Sequence, residues 1–91
     1  DYTRCNLQCH AERVRRLRAK CSDSGAIRAK VIFKDHSADG YTVYLTIDDD
    51  VYAVGVVDRR AILFATTFRG PHTIGLLEPP SDLTVGVECP P

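Results

Sequence analysis

The sequence predicts a small, mainly β domain with an N-terminal helix, its five strands curled into a barrel and fastened by disulfides. Three observations carry that expectation. Four cysteines, Cys5, Cys9, Cys21 and Cys89, form an even set in only 91 residues. Between 26 and 89, short apolar or alternating segments are separated by Asp, Gly and Pro turns, which is strand spacing. Ahead of them, residues 10–20 hold Ala, Arg, Leu, Glu and Lys without Gly or Pro, which favours helix.

In chain order, Cys5 and Cys9 sit in an extended lead-in, and the helix starts after them. Leu7, Ala11, Val14, Leu17 and Cys21 recur at helical spacing as a narrow apolar stripe. Bases crowd the C-terminal turn, which suits the helix dipole, and residues 22–25 end the helix. The first strand spans 26–34. Ile27, Ala29, Val31 and Phe33 fall on one side, and Arg28, Lys30 and Lys34 on the other. Asp39-Gly40 then reads as a hairpin turn. The second strand covers 41–47, with Tyr41, Val43, Leu45 and Ile47 on one face. Asp48-Asp49-Asp50 turns the chain into a third strand at 51–57. A fourth, 61–68, is apolar on both faces apart from two threonines and is expected at the sheet centre. Residues 72–77 fit no single element. A fifth strand, 82–89, ends at Cys89.

The chain therefore reads as one domain, 1–91: a cysteine-bearing basic helical segment over 1–21, then a β-barrel over 26–89. A helix laid across one antiparallel sheet, as in cystatin-like folds, is the alternative. No apolar run approaches the roughly 20 residues of a membrane helix, so membrane insertion is not expected. No secretory h-region is read in these residues, so if the protein is secreted, the mature form is the expectation.

No Cys-x-x-Cys pair is present, which excludes zinc-ribbon and thioredoxin spacings. Two disulfides in an oxidising, extracellular setting are the expectation. Of the three possible pairings, Cys21 with Cys89 is preferred, because Cys21 lies at the junction of helix and first strand. Cys5 and Cys9 would then pair locally. No Gly-x-Ser-x-Gly, His-Glu-x-x-His or P-loop occurs, and bridged cysteines leave no thiolate, so no enzyme is expected. Cys5, Cys9, His10, His36 and His72 lack metal-ligand spacing. Asp48-Asp49-Asp50 lacks the calcium-loop pattern. Neither metal nor cofactor is expected.

The sharper signal is charge. Net charge is zero, but residues 1–34 carry nine Lys or Arg against three acids (+6), and residues 35–91 carry three against nine (−6). Arg13, Arg15, Arg16, Arg18 and Lys20 make a positive face on the helix. Guanidinium groups grip sulfate or phosphate oxygens in pairs, so such a face suits a polyanion. Disulfides argue for sulfated glycans over nucleic acid. The competing reading pairs these bases with the acidic half of the same domain.

The spacing Cys5-x3-Cys9-x11-Cys21, followed by a polar turn and Ala26-Ile27-Arg28-Ala29-Lys30-Val31, resembles the start of a netrin-like (NTR) domain. That family includes the tissue inhibitors of metalloproteinases (TIMPs) and the C-terminal domains of netrins and complement proteins. Ile74-Gly75-Leu76-Leu77 and Leu83-Thr84-Val85-Gly86 resemble its Cys-Gly-x-x-Leu and Tyr-Leu-x-x-Gly stretches. The cysteine before that glycine is absent here, and the family's C-terminal helix does not follow Cys89. The resemblance implies an OB-type barrel and a secreted, non-enzymatic module binding extracellular proteins and heparin-like matrix. It also raises a second function, protease inhibition. TIMP-type inhibition needs a cysteine α-amino group, whereas this sequence starts at Asp1. The cystatin wedge Gln-x-Val-x-Gly has only Tyr52-Ala53-Val54-Gly55-Val56 near it, without the glutamine.

Overall fold

In the computed structural model, which describes residues 13–66 and 69–90, the chain forms seven strands and one 3-10 turn. The strands are β1 (Val14–Cys21), β2 (Ile27–Phe33), β3 (Thr42–Ile47), β4 (Asp50–Gly55), β5 (Arg60–Ala65), β6 (Gly70–Glu78) and β7 (Thr84–Cys89). They make two antiparallel sheets, a three-stranded one in the order β1-β2-β5 and a four-stranded one in the order β4-β3-β6-β7. Strands 2 and 5, and 3 and 6, pair across the sequence in Greek-key fashion. The mainly β expectation holds. No strand is shared by the two sheets, so they face each other as a sandwich and do not close as a barrel.

The expected helix over 10–20 is corrected, because Val14–Cys21 is a strand. Helix propensity is a weak preference that tertiary pairing overrides. Here Leu17, Ala19 and Cys21 lie opposite Val31, Ala29 and Ile27, so every second residue turns to the core. Arg16, Arg18 and Lys20 turn to solvent. Cys5, Cys9 and His10 lie outside the described residues.

Ile27, Ala29, Val31 and Phe33 are buried, as their alternation predicts, and β2 is the centre of its sheet. Val43, Leu45 and Ile47 from β3, Ala61, Leu63 and Ala65 from β5, and Ile74 and Leu76 from β6 complete one core cluster between the sheets. Tyr41 precedes β3 and is exposed. The fourth expected strand, realised as β5, is an edge strand, not a central one. Its second apolar side, Ile62 and Phe64, faces outward, and Phe64 is 69% exposed. Residues 72–77 belong to β6, paired with both β3 and β7.

Asp39-Gly40 is not a hairpin turn. Residues 34–41 carry the chain from one sheet to the other through the 3-10 turn His36–Ala38. Asp35 caps that turn. Its carboxylate accepts from the Ser37 hydroxyl at 2.6 Å and the Ser37 amide at 2.9 Å, and it pairs with Arg13. Those bonds, led by the two from Ser37, hold its pKa at about 2.

β1 and β7, edge strands of opposite sheets, lie alongside each other and are joined by the disulfide Cys21–Cys89, with a Cα–Cα distance of 5.2 Å. This is the pairing preferred from sequence. Closing a separation of 68 residues restricts the unfolded chain by about 4 kcal/mol in the loop-entropy account.

Candidate polyanion-binding face

The outer face of the three-stranded sheet is built by strand alternation. If β1, β2 and β5 each bury alternate residues, the remaining residues share the solvent side. The register aligns these in three rows: Lys20, Arg28 and Phe64; Arg18, Lys30 and Ile62; Arg16, Ile32 and Arg60. Neighbouring side chains are about 4.8 Å apart across strands and about 6.8 Å along them. The face thus carries Arg16, Arg18, Lys20, Arg28, Lys30 and Arg60, interleaved with Ile32, Ile62 and Phe64, and no acid occupies the rows.

Among the described residues, none of these cations forms an ion pair with a carboxylate. Two acids of the acidic half that the internal-pairing reading could use have histidine neighbours instead. Asp48 pairs with His72 at 2.6 Å, and Asp58 lies 3.7 Å from His36. Lys30, at the centre of the face, has its pKa lowered. Partial burial is the leading cause, followed by repulsion from Arg28, Arg60, Arg18 and Lys20. The Arg28 guanidinium sits 5.6 Å from the centre of the Phe64 ring, a cation–π contact that presents both groups to solvent.

Three shallow grooves follow this face. At one end, a cleft of about 480 Å³ lies between Lys20, Arg28, Phe64 and the turn at Ser22 and Asp23. The middle groove, about 250 Å³, runs between Arg18, Lys20, Arg28 and Lys30. At the other end, about 340 Å³ is lined by Arg15, Arg16, Arg18, Lys30, Ile32, Arg59 and Arg60.

Of the residues expected to form the basic surface, Arg16, Arg18 and Lys20 share the face. Arg15 falls at the register shift between Val14 and Arg16 and lines the terminal groove. Arg13 is drawn to Asp35 and is not part of the face. Arg28, Lys30, Arg59 and Arg60 were outside the expected set. The signal for the first two was present, since Arg28 and Lys30 alternate with core residues just as Arg16, Arg18 and Lys20 do. Reading residues 10–20 as helix separated the two series.

The opposite sheet contrasts with this one. Its outward residues on β3 and β4 include Thr42, Tyr44, Thr46, Val51 and Ala53, without charge. No group of His, Cys, Asp and Glu able to hold a metal occurs among the described residues. No helix among them is long and apolar enough to cross a membrane. No protein-family model, curated protein or solved structure matches the chain.

Proposed function

We propose that the protein is a secreted, non-enzymatic binding module whose basic sheet face takes a sulfated, heparin-like glycan, beside contacts with extracellular proteins. The observation that carries this reading is the grid of Arg16, Arg18, Lys20, Arg28, Lys30 and Arg60, to which no carboxylate among the described residues is paired. Six cations on one small sheet, without a carboxylate partner among the described residues, repel one another, and a polyanion relieves that repulsion. The interleaved Ile32, Ile62 and Phe64 offer apolar surface to the carbon face of a sugar ring. The Cys21–Cys89 bridge suits an oxidising compartment, where sulfated glycans are the abundant linear polyanions.

Retention on immobilised heparin tests this. The native protein is expected to stay bound well above physiological salt, about 0.15 M. Arg16→Ala/Arg18→Ala/Lys30→Ala should elute much earlier, whereas Thr42→Ala/Val51→Ala on the opposite sheet should not. Elution of the native protein at or below physiological salt rejects the reading.

A further inference from the structure

One end of the basic face differs from the rest. β5 is entered through a two-residue reversal, Val57 to Arg60, closed by bonds from Val57 N–H to Arg60 C=O at 2.9 Å and from Arg60 N–H to Val57 C=O at 3.1 Å. Its central residues, Asp58 and Arg59, have φ of 52° and 68°. Such a reversal favours Asn-Gly or Asp-Gly, because only glycine reaches left-handed φ without a steric cost. An arginine stands where glycine is preferred.

The backbone of Arg59 is held firmly in that conformation. Its N–H donates to Asp39 Oδ1 at 2.9 Å, and its carbonyl accepts from the Phe33 amide at 2.8 Å. The side chain is different. Arg59 Nε is buried and has no protein hydrogen-bond partner among the described residues. Buried N–H groups in folded proteins are nearly always satisfied, by protein, water or ion. Arg59 lines the terminal groove of about 340 Å³ together with Arg16, Arg60 and Lys30. Arg16 and Arg60 flank Ile32 in one row, giving the groove an aliphatic floor between two guanidinium groups. A left-handed backbone at Arg59, a buried donor without a protein partner among the described residues and converging cations therefore coincide at one place.

We propose that this groove is a seat for a single tetrahedral oxyanion, a sulfate ester of the glycan, held by Arg59, Arg16 and Arg60 above Ile32. The identification of the oxyanion as glycan sulfate rests on the function proposed above. The seat itself rests on the geometry around Arg59. It would fix where a chain begins or ends on the face, while the remaining cations follow the rest of the polymer through screened charge. Charge-assisted bonds from guanidinium to such oxygens are short and directional, so this end would carry most of the positional specificity.

The experiment records the arginine Nε–H resonances by 1H–15N NMR while inorganic sulfate is titrated against chloride at matched ionic strength. Inorganic phosphate forms a parallel arm. The Arg59 Nε–H signal is expected to move saturably with sulfate and hardly with chloride. Equal response to sulfate and chloride overturns the seat. Saturation by phosphate alone overturns its assignment to sulfate. Two variants complete the test. Arg59→Gly should bind heparin about tenfold more weakly, near the loss of one good charge-assisted contact. It should melt no lower than the native protein, because glycine relieves the φ of 68°. Arg59→Lys keeps the charge but lacks Nε and should recover only part of the affinity. Native-level heparin binding by Arg59→Gly overturns the seat and leaves the face reading standing. Saturable sulfate binding at Arg59 in a protein that ignores heparin keeps the seat and rejects the glycan.

Discussion

Arg16 and Arg60 stand on either side of Ile32 in one cross-strand row, both on the solvent side of the three-stranded sheet. Arg16 comes from β1 and Arg60 from the start of β5. They are 44 residues apart in sequence and meet only because β2 pairs with both of their strands. Neither is matched by a carboxylate among the described residues. The same holds for the other four cations of the face, so the surface is repulsive in itself.

The repulsion has a consequence for stability. Arg16→Ala/Arg60→Ala should melt close to the native protein, within about 0.5 kcal/mol, as for exposed positions outside a stabilising network. The melting temperature of the native protein should rise between low and moderate salt as the face is screened. That rise should be smaller in the double variant. A marked loss of stability on removing the two arginines would show them paired with acids, contrary to the geometry. Thermal melts of both proteins across a salt series measure this.

The disulfide links the ends of two edge strands that share no hydrogen-bonded ladder. Cys21→Ser/Cys89→Ser should therefore cost about 2–5 kcal/mol in denaturant unfolding. Amide protection should fall most in β1 and β7, since these edges lose their tie between the sheets. Protection that falls evenly over all seven strands would contradict a bridge acting at this seam.

His72 fastens the β3–β4 turn to β6. Its Nδ1 lies 2.6 Å from Asp48 Oδ2 and its Nε2 lies 2.8 Å from the Arg69 carbonyl oxygen. Both partners only accept, so the doubly protonated ring fits the site. The Asp48 hydrogen bond is the leading cause of a His72 pKa raised from 6.5. The same bond, followed by that from the Thr73 amide, lowers Asp48 from 3.8. A raised histidine stabilises the fold fully below its unfolded value, about 6.5, and loses that contribution as pH rises through the folded value. A lowered aspartate contributes above about 3.8 and loses it as pH falls through its folded value. The difference in melting temperature between the native protein and His72→Gln should thus peak between these limits. It should shrink on either side. A difference that does not vary with pH would mean that the ring is not held as a cation.

Much of the core was legible because period two is unambiguous when one face is buried. Ile27, Ala29, Val31 and Phe33 are the clearest case, and Val43, Leu45 and Ile47 follow. β1 was not legible in the same way. Its alternation of Arg16, Arg18 and Lys20 with Leu17, Ala19 and Cys21 is made of residues that also favour helix, and a helical stripe through Val14, Leu17 and Cys21 competes with it. Strand pairing was less legible still. Asp39-Gly40 resembles a hairpin locally, yet the chain there leaves the sheet because β2 already has partners on both sides, β1 and β5. For the candidate face, sequence located the basic segment and the unequal charge of the two halves. Arg28 and Lys30 carried the alternation signal, but reading residues 10–20 as helix kept them apart from β1, and Arg60 joins the surface only through the β1-β2-β5 register. Arg59 had no local signal beyond Asp-Arg in a position that becomes left-handed only in the folded turn.

The salt dependence of heparin affinity, measured with cations removed one at a time, tests the central claim most directly. Each cation that contacts the polyanion releases condensed counterions, so the slope of log affinity against log salt should fall by about one per residue removed. Arg16→Ala, Arg18→Ala, Lys30→Ala and Arg60→Ala should each lower the slope, while Arg13→Ala, whose side chain pairs with Asp35, should leave it nearly unchanged. Equal effects of Arg13 and the face residues, or a native slope near zero, would contradict binding through this sheet.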